Sequence, residues 1–135
     1  MTKKELLNKL FVENNLSAED VFKHQHYTII TRSGVEKIMA NMKIYVDYKV
    51  IRCEPNFAVV KAKAEITKDG YEKFIQTFGS ALKGKSYTDG NTNSWYVIEM
   101  AEKRAMSRAV LKLAGFYELG VFSEDESEQF KRSNN

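Results

Sequence analysis

The chain has 135 residues, 43% hydrophobic and 12% aromatic, with 21 basic against 18 acidic side chains. That is the length of one domain, and the apolar content is that of a folded globule, not of a disordered segment. No apolar run approaches the 18 or so residues needed to span a bilayer. The start, MTKKELLNKLFVENN, is charged throughout and unlike a secretory leader. A single cysteine, Cys53, leaves no internal disulfide framework and fits a reducing cytoplasm.

In chain order, Leu6, Leu7, Leu10 and Phe11 form the apolar side of an amphipathic helix over residues 3–13, ended by Asn14 and Asn15. Ser17 with Asp20 three residues on resembles a capping box and predicts a short helix through Phe22. Residues 27–31 are β-branched and aromatic and read as a strand. Ser33 with Glu36 is a second capping box, followed by Val35, Ile38, Met39 and Met42 at helical spacing.

Three strands follow, over 44–53, 57–67 and 71–80. Glu54-Pro55-Asn56 and Lys68-Asp69-Gly70 are the turns between them. In the middle strand Ala58, Val60, Ala62, Ala64 and Ile66 face one way, and Lys61, Lys63 and Glu65 the other. Cys53, within a strand pattern, is expected to be a small buried hydrophobe. The stretch 83–93, KGKSYTDGNTN, is a polar loop, and 93–115 reads as one long helix. Ile98, Ala101, Ala105 and Ala109 make a thin face on that helix that permits close approach to a sheet.

The order predicts an α+β fold: a three-stranded antiparallel meander plus one further strand, the long C-terminal helix on one face, and N-terminal helices. Residues 1–117 would form the domain and 118–135 an acidic tail. The charges divide at that boundary. Residues 1–117 hold 19 basic and 13 acidic side chains, a net of +6, while the tail carries Glu118, Glu124, Asp125, Glu126 and Glu128.

Catalytic chemistry has little to rest on. His24 and His26, the only histidines, stand at i,i+2 with no cysteine or acidic cluster to complete a zinc site. The glycines follow no phosphate-loop frame. Glu99 and Glu102 offer at most a magnesium-dependent nuclease reading, and Glu99–Lys103 is more simply a helix-stabilising pair. We expect a non-enzyme without a cofactor or metal.

Binding chemistry is better represented. Arg104, Arg108 and Lys112 follow at four-residue steps, and like charges so spaced repel by a few tenths of a kcal/mol each. Such a stripe calls for carboxylates within the fold or a polyanion outside it. With Lys103 beside them, Lys49, Lys61 and Lys63 on the sheet and Lys83 and Lys85 on the loop, these groups would border one groove if the helix folds back. Phosphate contacts of this kind give affinity without sequence preference. Tyr87 is a candidate for stacking on unpaired bases, whereas Trp95, the only tryptophan, is expected to plug the core.

The segment AEKRAMSRAVLKLAGF, following a meander and a Gly/Asn-rich loop, resembles the helix of single-strand annealing proteins. These form the Rad-fifty-two-like superfamily, which includes the phage Erf and Sak groups. The match lies in Lys103-Arg104-Ala105 with Arg108 after it, about fifteen residues by motif, and in the order of elements from Ile44 to Phe116. The tail GFYELGVFSEDE is not shared with that superfamily. The resemblance implies single-stranded DNA held by helix cations in the groove of a homo-oligomeric ring or filament. It also implies a role in phage homologous recombination and repair in a bacterial cytoplasm. The acidic tail would serve a host or phage replication protein as partner, or regulate access to the groove. The alternative is a phage structural or interaction protein whose helix stripe pairs with Glu124–Glu128 of its own or a neighbouring chain.

Overall fold

A computed structural model describes residues 2–85, 89–93 and 95–126, with Lys68 as backbone only. Helix α1 (Lys3–Glu13) leads to a hairpin of β1 (Val21–His24) and β2 (Tyr27–Ile30), then α2 (Arg32–Met42). The meander β3 (Tyr45–Glu54), β4 (Phe57–Lys68) and β5 (Tyr71–Leu82) follows, then α3 (Val97–Leu113) and β6 (Val121–Ser123). The fold is α+β, as its pattern predicts, and among the described residues no helix is long and apolar enough to cross a membrane.

The α1 limits match the periodicity, and Thr2 and Glu5 form the capping box that starts it. Ser17 and Asp20 behave differently from expectation. The Ser17 N–H and hydroxyl both donate to Asp20 Oδ2, at 2.9 and 3.1 Å, yet they close a single turn and no helix. The chain then extends, because Val21 and Phe22 pair with Ile30 and Ile29 in an antiparallel hairpin. At α2 the cap is Thr31, whose hydroxyl accepts from Gly34 N–H at 3.1 Å, two residues earlier than the Ser33 box predicts.

The extra strand belongs to a separate sheet of order β1-β2-β6, in which β6 runs parallel to β2. Beyond residue 117, where the acidic tail is expected to start, the chain thus enters a sheet, and a single 3₁₀ turn, Glu124–Glu126, buries Asp125 and Glu126.

Helix α3 is the axis of the molecule. Its Ala101, Ala105 and Ala109 lie on the sheet face formed by Ala58, Val60, Ala62, Ala64 and Ala81, all at most 2% exposed. The approach is so close that a Cβ added to Gly79 would lie 2.3 Å from the Ala101 carbonyl and 2.4 Å from Ala105 N. Thr77 Oγ1 donates to the Ala105 carbonyl at 2.7 Å and pins the contact. The opposite side of α3 carries Met106, Val110 and Leu111, which join Ile30, Val35, Ile38, Phe116 and Val121 in the same core. Burial of each large aliphatic there is worth about 1.5–3 kcal/mol.

This helix covers β4 and β5 but barely reaches β3. That is why Val50 and Cys53 on the helix-facing side of β3 are exposed. Cys53 is thus not the buried residue its strand pattern suggests. Trp95 is also not a core plug: it stands 77% exposed ahead of α3.

Candidate nucleic-acid interface

The side of the β3-β4-β5 sheet turned away from α3 is uncovered. Cross-strand partners share a face, so the register sets the composition of this one row by row. Glu54, Phe57 and Leu82 form one end, followed by Arg52, Val59 and Ser80. Next come Lys49, Lys61 and Phe78, then Asp47, Lys63 and Gln76, then Tyr45, Glu65 and Phe74. Tyr45, Phe74 and Phe78 are each more than half exposed. Large aromatics left in water beside lysines form a stacking surface flanked by cations.

Two of the four cations in these rows are matched locally. Lys63 Nζ is 3.0 Å from Glu65 Oε1 and 4.7 Å from the Phe74 ring centre, and Arg52 lies 2.9 Å from Glu54. Exposed ion pairs of this kind are worth 0 to about 1 kcal/mol and exchange readily. Lys49 and Lys61 stand directly opposite one another, a like-charge pairing that destabilises a sheet unless an anion joins it. Past the end row the Lys83 N–H donates to the Asn56 carbonyl at 2.8 Å. Beside it Lys83, Gly84 and exposed Lys85 line a shallow groove with Asn56 and Asn93. The loop lysines thus lie past the Glu54, Phe57 and Leu82 end of the sheet.

The helix stripe takes a different course. Arg104 is 6% exposed, and its guanidinium donates to three carbonyls: Ser80 at 2.8 Å, Asn91 at 2.8 Å and Asp125 at 3.1 Å. Arg108 donates to Glu126 Oε1 at 2.7 Å and to the Phe78 carbonyl at 2.9 Å. Both cap the outer edge of β5, an arrangement that blocks further strand pairing there. Asn91 completes the cap by accepting from Leu82 N–H at 2.7 Å. The two arginines expected to hold phosphate are therefore used inside the fold, because carboxylates and carbonyls of the chain's own end reach them first. Lys112 Nζ lies over the Tyr117 ring at 5.0 Å and Lys103 over Tyr96 at 5.9 Å, so neither joins the sheet cluster.

Tyr87 falls outside the described residues. Ser107 donates to Asp125 Oδ2 at 2.6 Å and Arg32 to Asp125 Oδ1 at 3.2 Å, so both α3 and α2 hold the C-terminal segment. On the helix side of the sheet, burial and the nearby Glu102 carboxylate push the Tyr48 phenol up to about 12, which keeps it neutral. Glu99 and Glu102 have no third ligand: among the described residues no group of three or more His, Cys, Asp or Glu is placed to hold a metal.

The exposed aromatics of β5 are the site residues that strand parity alone misses. Phe74 and Ile75, or Phe78 and Gly79, give both faces apolar members, and only the pairing of Lys61 with Phe78 assigns them. No family model, curated protein or solved structure matches the chain.

Proposed function

We propose that this chain binds single-stranded DNA on the open face of its large sheet, without catalysis, in a strand-annealing role of the phage recombination type. The observation that carries the reading is the row Lys49, Lys61 and exposed Phe78, with Lys63 and Phe74 beside it. Phosphates would neutralise the opposed lysines while unpaired bases stack on the phenylalanines, at about 1–3 kcal/mol per base. Lys83 and Lys85 would extend the track, and Lys103 and Lys112 remain as outlying cations.

Annealing needs a coated strand whose base edges stay accessible, which a shallow, one-sided face provides. Protomers would assemble through the edge strand β3, where Tyr48, Val50 and Ile51 are exposed. A bacterial cytoplasm is the setting this reading requires.

The test is fluorescence anisotropy of a labelled oligothymidylate. Lys61→Ala with Phe78→Ala should weaken binding at least tenfold, and loss of one phosphate contact should lower the salt slope by about 0.7. Unchanged binding would remove the sheet face as the site.

A second reading, an interaction protein without nucleic-acid binding, draws support from the internal pairing of Arg108 with Glu126 and from Asp47, Glu54 and Glu65 among the lysines of the face. Failure to retain any oligonucleotide at low salt would favour it.

A further inference from the structure

A second basic surface lies away from the large sheet, between α1, the β1–β2 hairpin and the entry to β6. It is a groove of about 910 Å³, within the range of small-molecule sites. Its apolar part is made by Leu7, Phe11, Val21, Tyr27 and Phe122, and its polar part by Lys3, Lys4, Lys23 and His26. Among the described residues no carboxylate lines it. The three lysines are exposed and form no ion pair among the described residues, whereas Lys9, on the same helix, pairs with Glu13 at 3.8 Å.

The aromatic groups are held in place. Phe122 meets Tyr27 edge-on at 5.7 Å and Tyr117 edge-on at 5.1 Å, and Phe11 stacks on Phe116 at 5.9 Å. Gly120, in a left-handed conformation with φ +79°, makes the turn that brings Phe122 to this position.

Unpaired ammonium groups around an ordered aromatic floor are complementary to a ligand with both an anionic head and a planar body. We propose that this groove binds a phosphorylated aromatic ligand of the mononucleotide class, with the ring against Phe122 and Tyr27 and the phosphate among Lys3, Lys4 and Lys23. The same chemistry is presented by a free nucleotide and by the phosphorylated end of a nucleic-acid strand. The site is independent of the sheet face and stands or falls separately.

Isothermal titration calorimetry with adenosine 5′-monophosphate, adenosine and inorganic phosphate decides it. The monophosphate should bind, and the other two should bind more weakly, because each lacks one half of the match. Lys4→Ala with Lys23→Ala should weaken the monophosphate at least tenfold, on the scale of a lost charge-assisted contact. If Lys23→Ala disturbs the hairpin, Lys3→Ala with Lys4→Ala, both on α1, reads the same contact. Lys61→Ala with Phe78→Ala should leave monophosphate binding unchanged.

Oligonucleotides with a 5′-phosphate or a 5′-hydroxyl separate the two sources. A phosphate-dependent gain that vanishes in the Lys4/Lys23 variant assigns the strand end, and no gain assigns the free nucleotide. The proposal is overturned if the monophosphate fails to bind at millimolar concentration, if the lysine variants bind it as tightly, or if adenosine or phosphate alone binds equally well.

Discussion

Arg104 shows how one side chain can look like a ligand group and act as a strut. A guanidinium has five donors and cannot shed its charge. Placed 6% exposed at the edge of β5, it is stabilised there by acceptors that include carbonyls of three separate segments. Arg104→Ala should therefore destabilise the protein by about 3 kcal/mol, at roughly 1 kcal/mol per lost bond. The check is a denaturant titration read with oligonucleotide binding at a temperature where the variant is folded. Stability should fall while affinity holds, and the reverse result would return Arg104 to the binding surface.

Asp20 is a second strut, with a pH signature. The ammonium of Lys37, 2.7 Å away, is the main reason its carboxyl sits below the ordinary 3.8, and Ser17 N–H adds to the effect. A carboxyl depressed in the folded state stabilises the fold above its unfolded value, and that contribution is lost as pH falls through the folded one. Lys37 is half exposed, so the pair is worth no more than about 1 kcal/mol. Asp20→Asn should lower the melting temperature at pH 7, and the gap to the parent should close below pH 3.8. A gap that persists into acid would show that shape, not charge, matters there.

Among the elements, the contact of α3 with β5 tolerates least change. The α3 thin face was legible in the spacing of Ala101, Ala105 and Ala109, and the structure places Gly79 against it. Gly79→Ala would drive a methyl into helix backbone, which cannot rotate away, so it should cost about 3 kcal/mol or more, at the upper end of overpacking. Gly70→Ala, in an open turn at φ +83°, should cost only the strain of its backbone, about 1 kcal/mol. Paired thermal melts of the two glycine variants test that order.

The same comparison marks what local pattern can carry. The α1 limits and the meander strands, read to within a residue or two, rest on periodicities that belong to the segments themselves. The Ser17–Asp20 bonds were legible, but whether they open a helix depended on Ile29 and Ile30 competing for Val21 and Phe22. The small sheet was not legible, since β6 joins β2 across more than ninety residues of chain. For the candidate site, the lysine-bearing side of β4 was correctly separated from its apolar side. The aromatic half was missed because it arrives from β5 through register. The arginine stripe was seen as a stripe, but its direction was set by Asp125 and Glu126, which enter from beyond the expected boundary.

At the scale of the whole molecule, that terminal segment ties the layers together. The 3₁₀ turn Glu124–Glu126 touches α2 through Arg32, α3 through Ser107 and Arg104, and the β5 edge through Arg108, which also donates to Phe78. An acidic tail free to fold over a basic groove would, when removed, tighten DNA binding at low salt. The structure leads to another expectation for residues 123–126: their loss takes the Asp125 carbonyl from buried Arg104 and the Glu126 carboxylate from partly buried Arg108. Removing one partner of a buried charged network costs about 3–5 kcal/mol. For a chain of this size that corresponds to a fall in melting temperature of roughly 10–20 °C. Deleting residues 123–135 should thus lower the melting temperature by that amount, whereas deleting 127–135, which leaves Glu126 in place, should shift it by only a few degrees. Calorimetry on both truncations, beside oligonucleotide titrations at two salt concentrations, separates a structural strap from a regulatory tail. Equal stability of the two, with tighter binding by the shorter chain at low salt, would establish the tail and discard the strap.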